Sequence, residues 1–184
     1  MRYPPEHKAA ARQKLITAGG ALAKKSGFNS TGMDALAASA EMTTGAFYNQ
    51  FSSKKEFLSA IIDHELTQLS VIFATQDEQG LRQALAWYLS PQHVEHPEKG
   101  CLLPSLGAEI GRADESTRML FEQHLEPLIT ALQSTTHDKA QAWTLLAQAI
   151  GGIILARAVL QSETQQEILQ SVKKFSFEMI KPRP

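Results

Sequence analysis

The sequence predicts an all-α fold, and two observations carry this prediction. Apolar residues recur along nearly all of the 184 residues with the 3.6-residue period of a helix, and no segment alternates with the two-residue period of a strand. Helix starts are marked as well, because four Ser or Thr residues stand three positions before an acid or a glutamine, as in a capping box. These pairs are Thr31 with Asp34, Ser53 with Glu56, Thr135 with Asp138 and Ser162 with Gln165. We expect about nine helices.

The first helix is predicted from about Glu6 to Ser26, with Gly27 just beyond it as a C-cap. Its apolar stripe contains Leu15 among other residues. Two adjacent glycines, Gly19 and Gly20, lie inside this helix, where each costs of order 1 kcal/mol relative to alanine. We expect these glycines to permit the close approach of a neighbouring helix.

Two short helices come next. One follows Thr31 and turns Leu36 inward; after a turn at Glu41 the other runs from Thr43 to Phe51. Two helices of about two turns joined in this way are typical of a helix-turn-helix, whose second helix lies in the DNA major groove. The same pattern also occurs as a plain packing element.

The third helix has two different sides. Phe47 and Phe51, four residues apart, are expected to anchor it to its neighbours. The opposite side carries mostly small or polar residues, so that the backbone is able to approach base edges: Thr44, Gly45, Ala46, Tyr48 and Asn49. The Tyr48 hydroxyl and the Lys54 ammonium suit phosphate contacts.

A long fourth helix is predicted after Ser53, and further helices near 79–90, 103–112, 114–133, 136–161 and 163–181. Pro127 is expected to kink the third of these. The segment 91–100, PQHVEHPEKG, is predicted to be a loop.

Charge is distributed unevenly along the chain. The net charge is −1, but residues 1–60 hold 8 Lys and Arg against 4 Asp and Glu, so the N-terminal third is basic and the remainder acidic.

A single cysteine, Cys101, and an N-terminus without an apolar core favour a reducing, cytoplasmic location. No apolar run reaches the roughly 18 to 20 residues that cross a bilayer, so no membrane association is expected.

The segment GFNSTGMDALAASAEMTTGAFYNQFSSKKEFL resembles the N-terminal signature of TetR/AcrR-type transcriptional regulators. KGCLLPSLGAEIGRADESTRMLFEQHL and WTLLAQAIGGIILARAVL resemble the ligand domain of one branch of that family. The resemblance implies a homodimeric DNA-binding protein, usually a repressor, that binds a palindromic operator and responds to a small-molecule inducer. It implies a helix-turn-helix DNA-binding domain at 1–52 and a helical ligand-binding and dimerisation domain at 53–184.

The resemblance also implies roles for single residues. Thr44, Gly45, Ala46 and Tyr48 are expected to face bases; Thr43, Tyr48, Asn49, Gln50 and Lys54 are expected to lie along phosphates, and Thr31 completes the DNA-binding set. Some positions depart from the family pattern. Glu41 stands where a turn glycine is usual, Gln50 stands where histidine is usual, and Gly20 and Ala23 stand where larger apolar residues are typical.

For the regulatory half, the helices near 136–161 and 163–181 are the dimer candidates, although their apolar stripes also suit a monomer core. The ligand candidates are Trp87, Tyr88, Phe121, His124 and Trp143, which also suit a core. Cys101 precedes a helix and follows Lys99, features that favour a reactive thiolate; the alternative is a small buried side chain. The inducer is not identified by the sequence.

His93, His96 and Cys101 on one segment raise the question of a soft-metal site, with Glu95 in support. Their spacing matches no zinc signature, so we prefer solvated loop histidines and expect no metal and no cofactor. No phosphate loop, nucleophile elbow or HExxH motif is present in the sequence, and no enzyme is expected. The competing hypothesis is a helical small-molecule receptor or enzyme without DNA binding.

Overall fold

The computed structural model describes residues 5–74, 77–136 and 138–180, and within those ranges every regular element is helical. The all-α prediction is therefore confirmed. The helices are α1 Pro5–Ser26, α2 Met33–Ser39, α3 Thr44–Tyr48, α4 Lys54–Ala74, α5 Glu78–Tyr88, α6 Pro91–Glu95, α7 Leu102–Gly111, α8 Glu115–Thr136, α9 Lys139–Ala158 and α10 Ser162–Glu178. A 3₁₀ turn, Pro97–Lys99, lies between α6 and α7.

The first three helices form one cluster, which we call the head. α2 packs against both α1 and α3, and the side chains of Leu15 and Leu36 are 0 % exposed. Three phenylalanine rings meet in its centre, with Phe57 of α4 lying 5.0 Å from Phe47 and 4.8 Å from Phe51 between ring centroids. These aromatic contacts fasten α3 to the start of α4, as predicted for Phe47 and Phe51.

The remaining helices pack side by side around α4. α4 lies along α8, α8 along α9, and α9 along α10. α4 spans both parts of the molecule, because Phe57 at its start belongs to the head cluster while Leu66 and Phe73 lie in the core of the rest. Pro127 lies inside α8, and the helix continues past it to Thr136.

The helix starts follow the capping prediction in part. Ser53 Oγ accepts a hydrogen bond from the Glu56 backbone N at 3.1 Å, and the Glu56 carboxylate accepts from the backbone N of Ser52, one residue earlier than a capping box requires. These Ser52 hydrogen bonds hold the pKa of Glu56 below its usual value. Ser53 with Glu56 therefore caps α4.

The capping-box predictions at Thr31, Thr135 and Ser162 are wrong. The Thr31 hydroxyl donates to the Gly27 carbonyl, and α2 begins after Gly32. Thr135 lies inside α8, and Asp138 itself caps α9 by accepting from the Ala140 N at 2.9 Å. Ser162 is already within α10. Only for Thr31 does the structure show an alternative partner that takes the hydrogen bond.

The segment 91–100 is not the open loop that its composition predicts. It folds into α6 and the 3₁₀ turn, and Ser90 caps α6 by accepting from the His93 N. His93 is 1 % exposed, so it is not a solvated loop histidine. The backbone hydrogen bonds of a Pro-rich stretch are thus satisfied locally.

The sequence predicts no segment long and apolar enough to cross a bilayer, and α4 differs from that expectation. Among the described residues, α4 is long and apolar enough by length and composition to span a bilayer, a property that core helices of globular proteins share. One apolar face of α4 is covered by other helices, with Ile61, Ile62 and Leu66 all 0 % exposed, while Val71 and Ile72 near its end are exposed. The packing gives α4 the role of a core helix.

Candidate nucleic-acid interface

α3 is short and begins with a side-chain cap. Thr43 Oγ1 accepts a hydrogen bond from the Ala46 N at 3.1 Å, and the helix ends at Tyr48 rather than continuing to Phe51 as predicted. Phe47 is 0 % exposed and its ring lies 5.4 Å from that of Phe51. The buried aromatics therefore turn the opposite side of α3 towards solvent.

That opposite side is the surface predicted to meet DNA. Thr43, Gly45, Tyr48 and Asn49 are exposed, while Thr44, Ala46 and Gln50 are half-buried; together these seven residues are called the recognition surface. Tyr48 is 52 % exposed, an unusual position for a large aromatic side chain. A Cβ built on Gly45 would meet just one described atom within 4 Å, Thr43 Oγ1 at 3.9 Å, so the space in front of the helix is open.

Two polar contacts fix α3 relative to the rest of the head. The Thr44 hydroxyl donates to Asp34 Oδ1 of α2 across 2.5 Å. Arg12 of α1 donates to the backbone O of Gln50 at 2.7 Å and lies over the Phe51 ring, 4.0 Å from its centroid. Because Arg12 lies 38 positions earlier in the chain than Gln50, no local sequence pattern predicts this second contact. It holds the end of α3 against α1.

The turn between α2 and α3 passes through Glu41, which has a φ of 57°. A left-handed conformation costs a non-glycine residue about 1–2 kcal/mol, which explains why glycine is usual at this position. The Glu41 carboxylate accepts from Lys14 Nζ at 2.6 Å, and this hydrogen bond holds its pKa below the usual value. Lys14 thereby neutralises an acid that lies close to the recognition surface.

Two predicted DNA contacts have partners inside the head. Lys54 Nζ donates to the Asn29 O at 3.1 Å and lies 4.9 Å from the centroid of Phe28, so part of its donor capacity is used. Thr31 is 7 % exposed, and its hydroxyl is bonded to the Gly27 carbonyl. The Thr31 side chain thus belongs to the packing before α2 rather than to the exposed surface.

The head is joined to the other helices by polar contacts that the sequence did not reveal. The Glu109 carboxylate of α7 accepts from the backbone N of Phe28 at 3.0 Å and of Asn29 at 2.7 Å. Lys24 of α1 is bonded to Glu65 at 2.8 Å and to the Gly100 O at 2.8 Å. Lys24 is nearly enclosed, since its side chain is 7 % exposed. Both ends of α7 are therefore tied to the head.

The six ligand candidates do not form one site. Tyr88 and Cys101 both line an apolar cavity, whereas Phe121 lines a separate open groove between α7 and α8. Trp87 and Trp143 are 55 % and 40 % exposed. His124 lies elsewhere, with Nε2 3.1 Å from Asp63 Oδ1.

Cys101 is not poised as a thiolate. Burial raises the pKa of its thiol to about 11, which is opposite to the direction predicted from its place before a helix. The residue that organises this segment is His93, whose Nδ1 is 2.7 Å from the Tyr88 O while its Nε2 accepts from the Cys101 N at 3.0 Å. Burial lowers the pKa of His93, in keeping with a neutral ring.

Both ring nitrogens of His93 are occupied by these backbone contacts, so the ring has no lone pair left for a metal. Across the described residues, no group of three or more His, Cys, Asp or Glu side chains is arranged to hold a metal ion.

A short α3 held on α2 and α1, with an open polar face on its far side, is the geometry of a helix-turn-helix DNA-binding protein. Comparison with known proteins agrees. Residues 15–61, which include the whole recognition surface, match the family model described as bacterial regulatory proteins, tetR family. Residues 15–61 therefore carry the signature of the TetR family of transcriptional regulators.

Relatives whose alignment extends beyond this segment are also transcriptional regulators. An uncharacterized HTH-type transcriptional regulator in the lacX 3′ region of Lactococcus lactis subsp. lactis is 26 % identical, over 92 % of this chain and 94 % of the relative. The HTH-type transcriptional repressor NemR of Escherichia coli K12 is 27 % identical, over 69 % of this chain and 67 % of that protein. The crystal structure of reduced E. coli NemR shares the fold, with a TM-score of 0.73 at 22 % identity over 93 % of this chain and 97 % of that chain.

Proposed function

We propose that this protein is a cytoplasmic, ligand-responsive repressor that binds a palindromic DNA operator as a homodimer. The observation that carries the proposal is the recognition surface: α3 is anchored by buried rings and presents small and polar residues outward. One of the relatives, NemR, is named a transcriptional repressor, which supports this direction of regulation.

The recognition surface divides into two kinds of contact. Gly45 and Ala46 have little side-chain bulk, so the backbone of α3 approaches base edges and the Ala46 methyl packs on a thymine methyl. Thr43, Tyr48 and Asn49 are exposed hydrogen-bonding residues that suit phosphate oxygens, as do the remaining N–H donors of Lys54. Thr44 and Gln50 lie at the edges of this surface, and their contribution is to orient α3 as well as to touch DNA.

The dimer is proposed to form through α9 and α10. The apolar stripes expected to meet a partner are largely used within one chain, because Leu145, Ile153 and Ala156 are buried. A different set is exposed on the same two helices, with Leu155 58 % and Phe175 56 % exposed. Exposed apolar side chains of this size on neighbouring helices suit an isologous interface.

Two-fold symmetry would then place two recognition surfaces about one DNA turn, roughly 34 Å, apart. We assign DNA binding to residues 1–52 and ligand binding with dimerisation to residues 53–184.

A ligand changes DNA affinity through its different affinities for the DNA-competent and incompetent states. α7 is the proposed route, because Cys101 at its start lines the cavity and Glu109 near its end holds two backbone N–H groups of the head.

The experiment is fluorescence anisotropy with a genomic fragment that the protein selects, titrated over a range of salt concentrations. Tyr48→Phe should weaken binding of the dimer about 30-fold, because each of the two subunits loses one phosphate hydrogen bond of about 1 kcal/mol. Lys54→Ala should make the slope of log affinity against log salt less steep by about 2, because each of the two subunits loses one phosphate contact. Lys139→Ala makes the same charge change on α9 and should leave that slope unchanged. Absence of binding to any genomic fragment at low salt would favour the helical receptor or enzyme without DNA binding.

A further inference from the structure

The loop between α1 and α2 is shaped around the carboxylate of Glu109. Its Oε1 accepts from the Phe28 N at 3.0 Å and its Oε2 accepts from the Asn29 N at 2.7 Å, so each oxygen has its own donor. Gly27, just before them, has a φ of 84°, and a Cβ there would lie 3.1 Å from Glu109 Oε1 and 2.8 Å from Ser30 Oγ. Successive N–H groups in such a turn form a concave anion site, and here the anion is a side chain of α7.

The same loop contacts a lysine that we assign to the DNA backbone. Lys54 Nζ donates to the Asn29 O at 3.1 Å and lies 4.9 Å from the centroid of the Phe28 ring. Glu109 therefore holds the N–H groups of two residues that also contact Lys54. The carboxylate acts on the DNA-facing part of the head without lying on the recognition surface.

Among the described residues, hydrogen bonds join the head to the helices after α4 at two places. Glu109 provides one, and Lys24, which donates to the Gly100 O at 2.8 Å, provides the other. Because α4 is continuous with both parts, the head is held at three points. The Lys55–Asp114 ion pair at the start of α4 adds little restraint, because its side chains are 54 % and 44 % exposed. Without the Glu109 contacts, the head is able to tilt about a line through the start of α4 and Lys24.

The tilt of each head decides how far apart the two recognition surfaces of a dimer lie. One additional base pair between two half-sites moves one of them by about 3.4 Å and turns it by about 35° around the DNA axis. A head that tilts follows part of this displacement, whereas a fixed head does not. We propose that Glu109 is a specificity-determining residue, which fixes the number of base pairs between the operator half-sites without touching DNA. The proposal rests on the proposed function as a dimeric operator-binding protein.

The test measures fluorescence anisotropy on duplexes that keep both half-sites of the fragment selected by the wild type and change only the spacer length. Glu109→Gln leaves one acceptor oxygen and places an NH₂ group against the other backbone N–H. One added base pair should weaken wild-type binding about 30-fold but Glu109→Gln binding only about threefold, because tilting no longer breaks a hydrogen bond to the carboxylate in each subunit. The salt dependence should stay unchanged, because the phosphate contacts remain. Glu115→Gln, the same charge change at an exposed residue of α8, should keep the wild-type spacer profile.

A measurement without DNA tests the tilt itself. A spin label on the exposed α2 position Ala38→Cys, in a Cys101→Ser background, reports the distance between the two heads by pulsed electron–electron double resonance. The distance distribution should be narrow with Glu109 and clearly broader in Glu109→Gln. If Glu109→Gln does not form a folded dimer, Glu109→Asp, which keeps the charge but shortens the reach, should show the same two changes to a smaller extent.

An unchanged spacer profile in a folded Glu109 variant, or a distance distribution as narrow as that of the wild type, overturns the role of Glu109 and leaves the proposed function intact. The same relaxed profile in Glu115→Gln overturns it too, because the effect would then come from charge alone. If the wild type selects no fragment, or its two spin labels report no distance within a dimer, the proposed function fails and the spacing role fails with it.

Discussion

Two adjacent glycines in α1 are expected to respond in opposite directions to the same substitution. A Cβ built on Gly19 would lie 2.6 Å from Phe57 Cζ and 3.0 Å from Phe57 Cε1. Ordinary carbon contacts are about 3.5–4.0 Å, so the added methyl would be about 1 Å too close. A Cβ on Gly20 would have its nearest neighbour, Ile61 Cγ2, at 3.5 Å, an ordinary contact.

The magnitudes follow from helix propensity and packing. Alanine gains about 1 kcal/mol over glycine inside a helix, so Gly20→Ala should stabilise the protein by about that amount. In Gly19→Ala the same gain is opposed by overpacking of about 1–3 kcal/mol. The Phe57 ring has little room to move away, because it is 0 % exposed and packs against the rings of Phe47 and Phe51. Gly19→Ala should therefore be less stable than Gly20→Ala by about 1–3 kcal/mol.

Thermal unfolding of the two variants beside the wild type measures this difference. For a chain of this size, about 1 kcal/mol corresponds to a shift of about 2–4 °C in Tm. Gly20→Ala should melt above the wild type, and Gly19→Ala should melt below Gly20→Ala. Equal melting temperatures for the two alanine variants would refute the argument that Gly19 exists to admit the Phe57 ring.

Three further substitutions or reactions test contacts outside the recognition surface. Glu109→Ala should lower the free energy of unfolding by about 1–3 kcal/mol in urea denaturation, because two backbone N–H groups of the head lose a charged acceptor, while the exposed control Glu115→Ala should change it little. Alkylation of Cys101 by iodoacetamide should accelerate about tenfold per pH unit from pH 7 to 10 without levelling, since the thiol pKa is about 11; in urea the rate should level near pH 9. Gly100→Ala should destabilise the chain by about 1–3 kcal/mol, because its Cβ would overlap a buried imidazole ring, whereas Gly107→Ala, with open space around it, should stabilise α7 by about 1 kcal/mol.

The features that the sequence predicted well depend on local chemistry. Helical periodicity placed the helices within a few residues, and Gly27 ends α1 with a φ of 84°, as its C-cap role requires. Phe47 and Phe51 are buried as their spacing predicted. Glu41 does occupy the left-handed turn position that a glycine usually takes, so a departure from the family pattern pointed to a real backbone feature.

The features that the sequence missed depend on residues far apart in the chain. Arg12 reaches the end of α3 from 38 positions away, and Glu109 reaches Phe28 from 81 positions away. No spacing rule predicts such contacts, because they exist only once the helices have packed. Of the two alternatives for Cys101, the reactive thiolate fails for the same reason: the local helix start favours ionisation, but desolvation by the surrounding helices outweighs it.

The capping predictions show that a hydroxyl group has more than one possible hydrogen-bond partner among the residues next to it in the chain. A Ser or Thr hydroxyl bonds the nearest geometrically suitable group, and for Thr31 that group is the Gly27 carbonyl behind it rather than a backbone N–H ahead of it. The Thr31 case also removes one residue from the predicted DNA-contacting side chains, since its side chain is enclosed. Exposure, which the sequence does not give, decides which polar residues of a helix-turn-helix are available to DNA.

Binding of operator DNA by the recognition surface on α3 can be tested by sequencing the genomic fragments that the protein retains at low salt. We expect enrichment of a few fragments that share an inverted repeat, with half-sites separated by one helical turn of about 10 base pairs or a multiple of it. Gly45→Val, which places a branched side chain on the open face of α3, should abolish that enrichment while the protein remains folded. If the wild type enriches no fragment, or if Gly45→Val retains the same fragments, the recognition surface does not bind an operator.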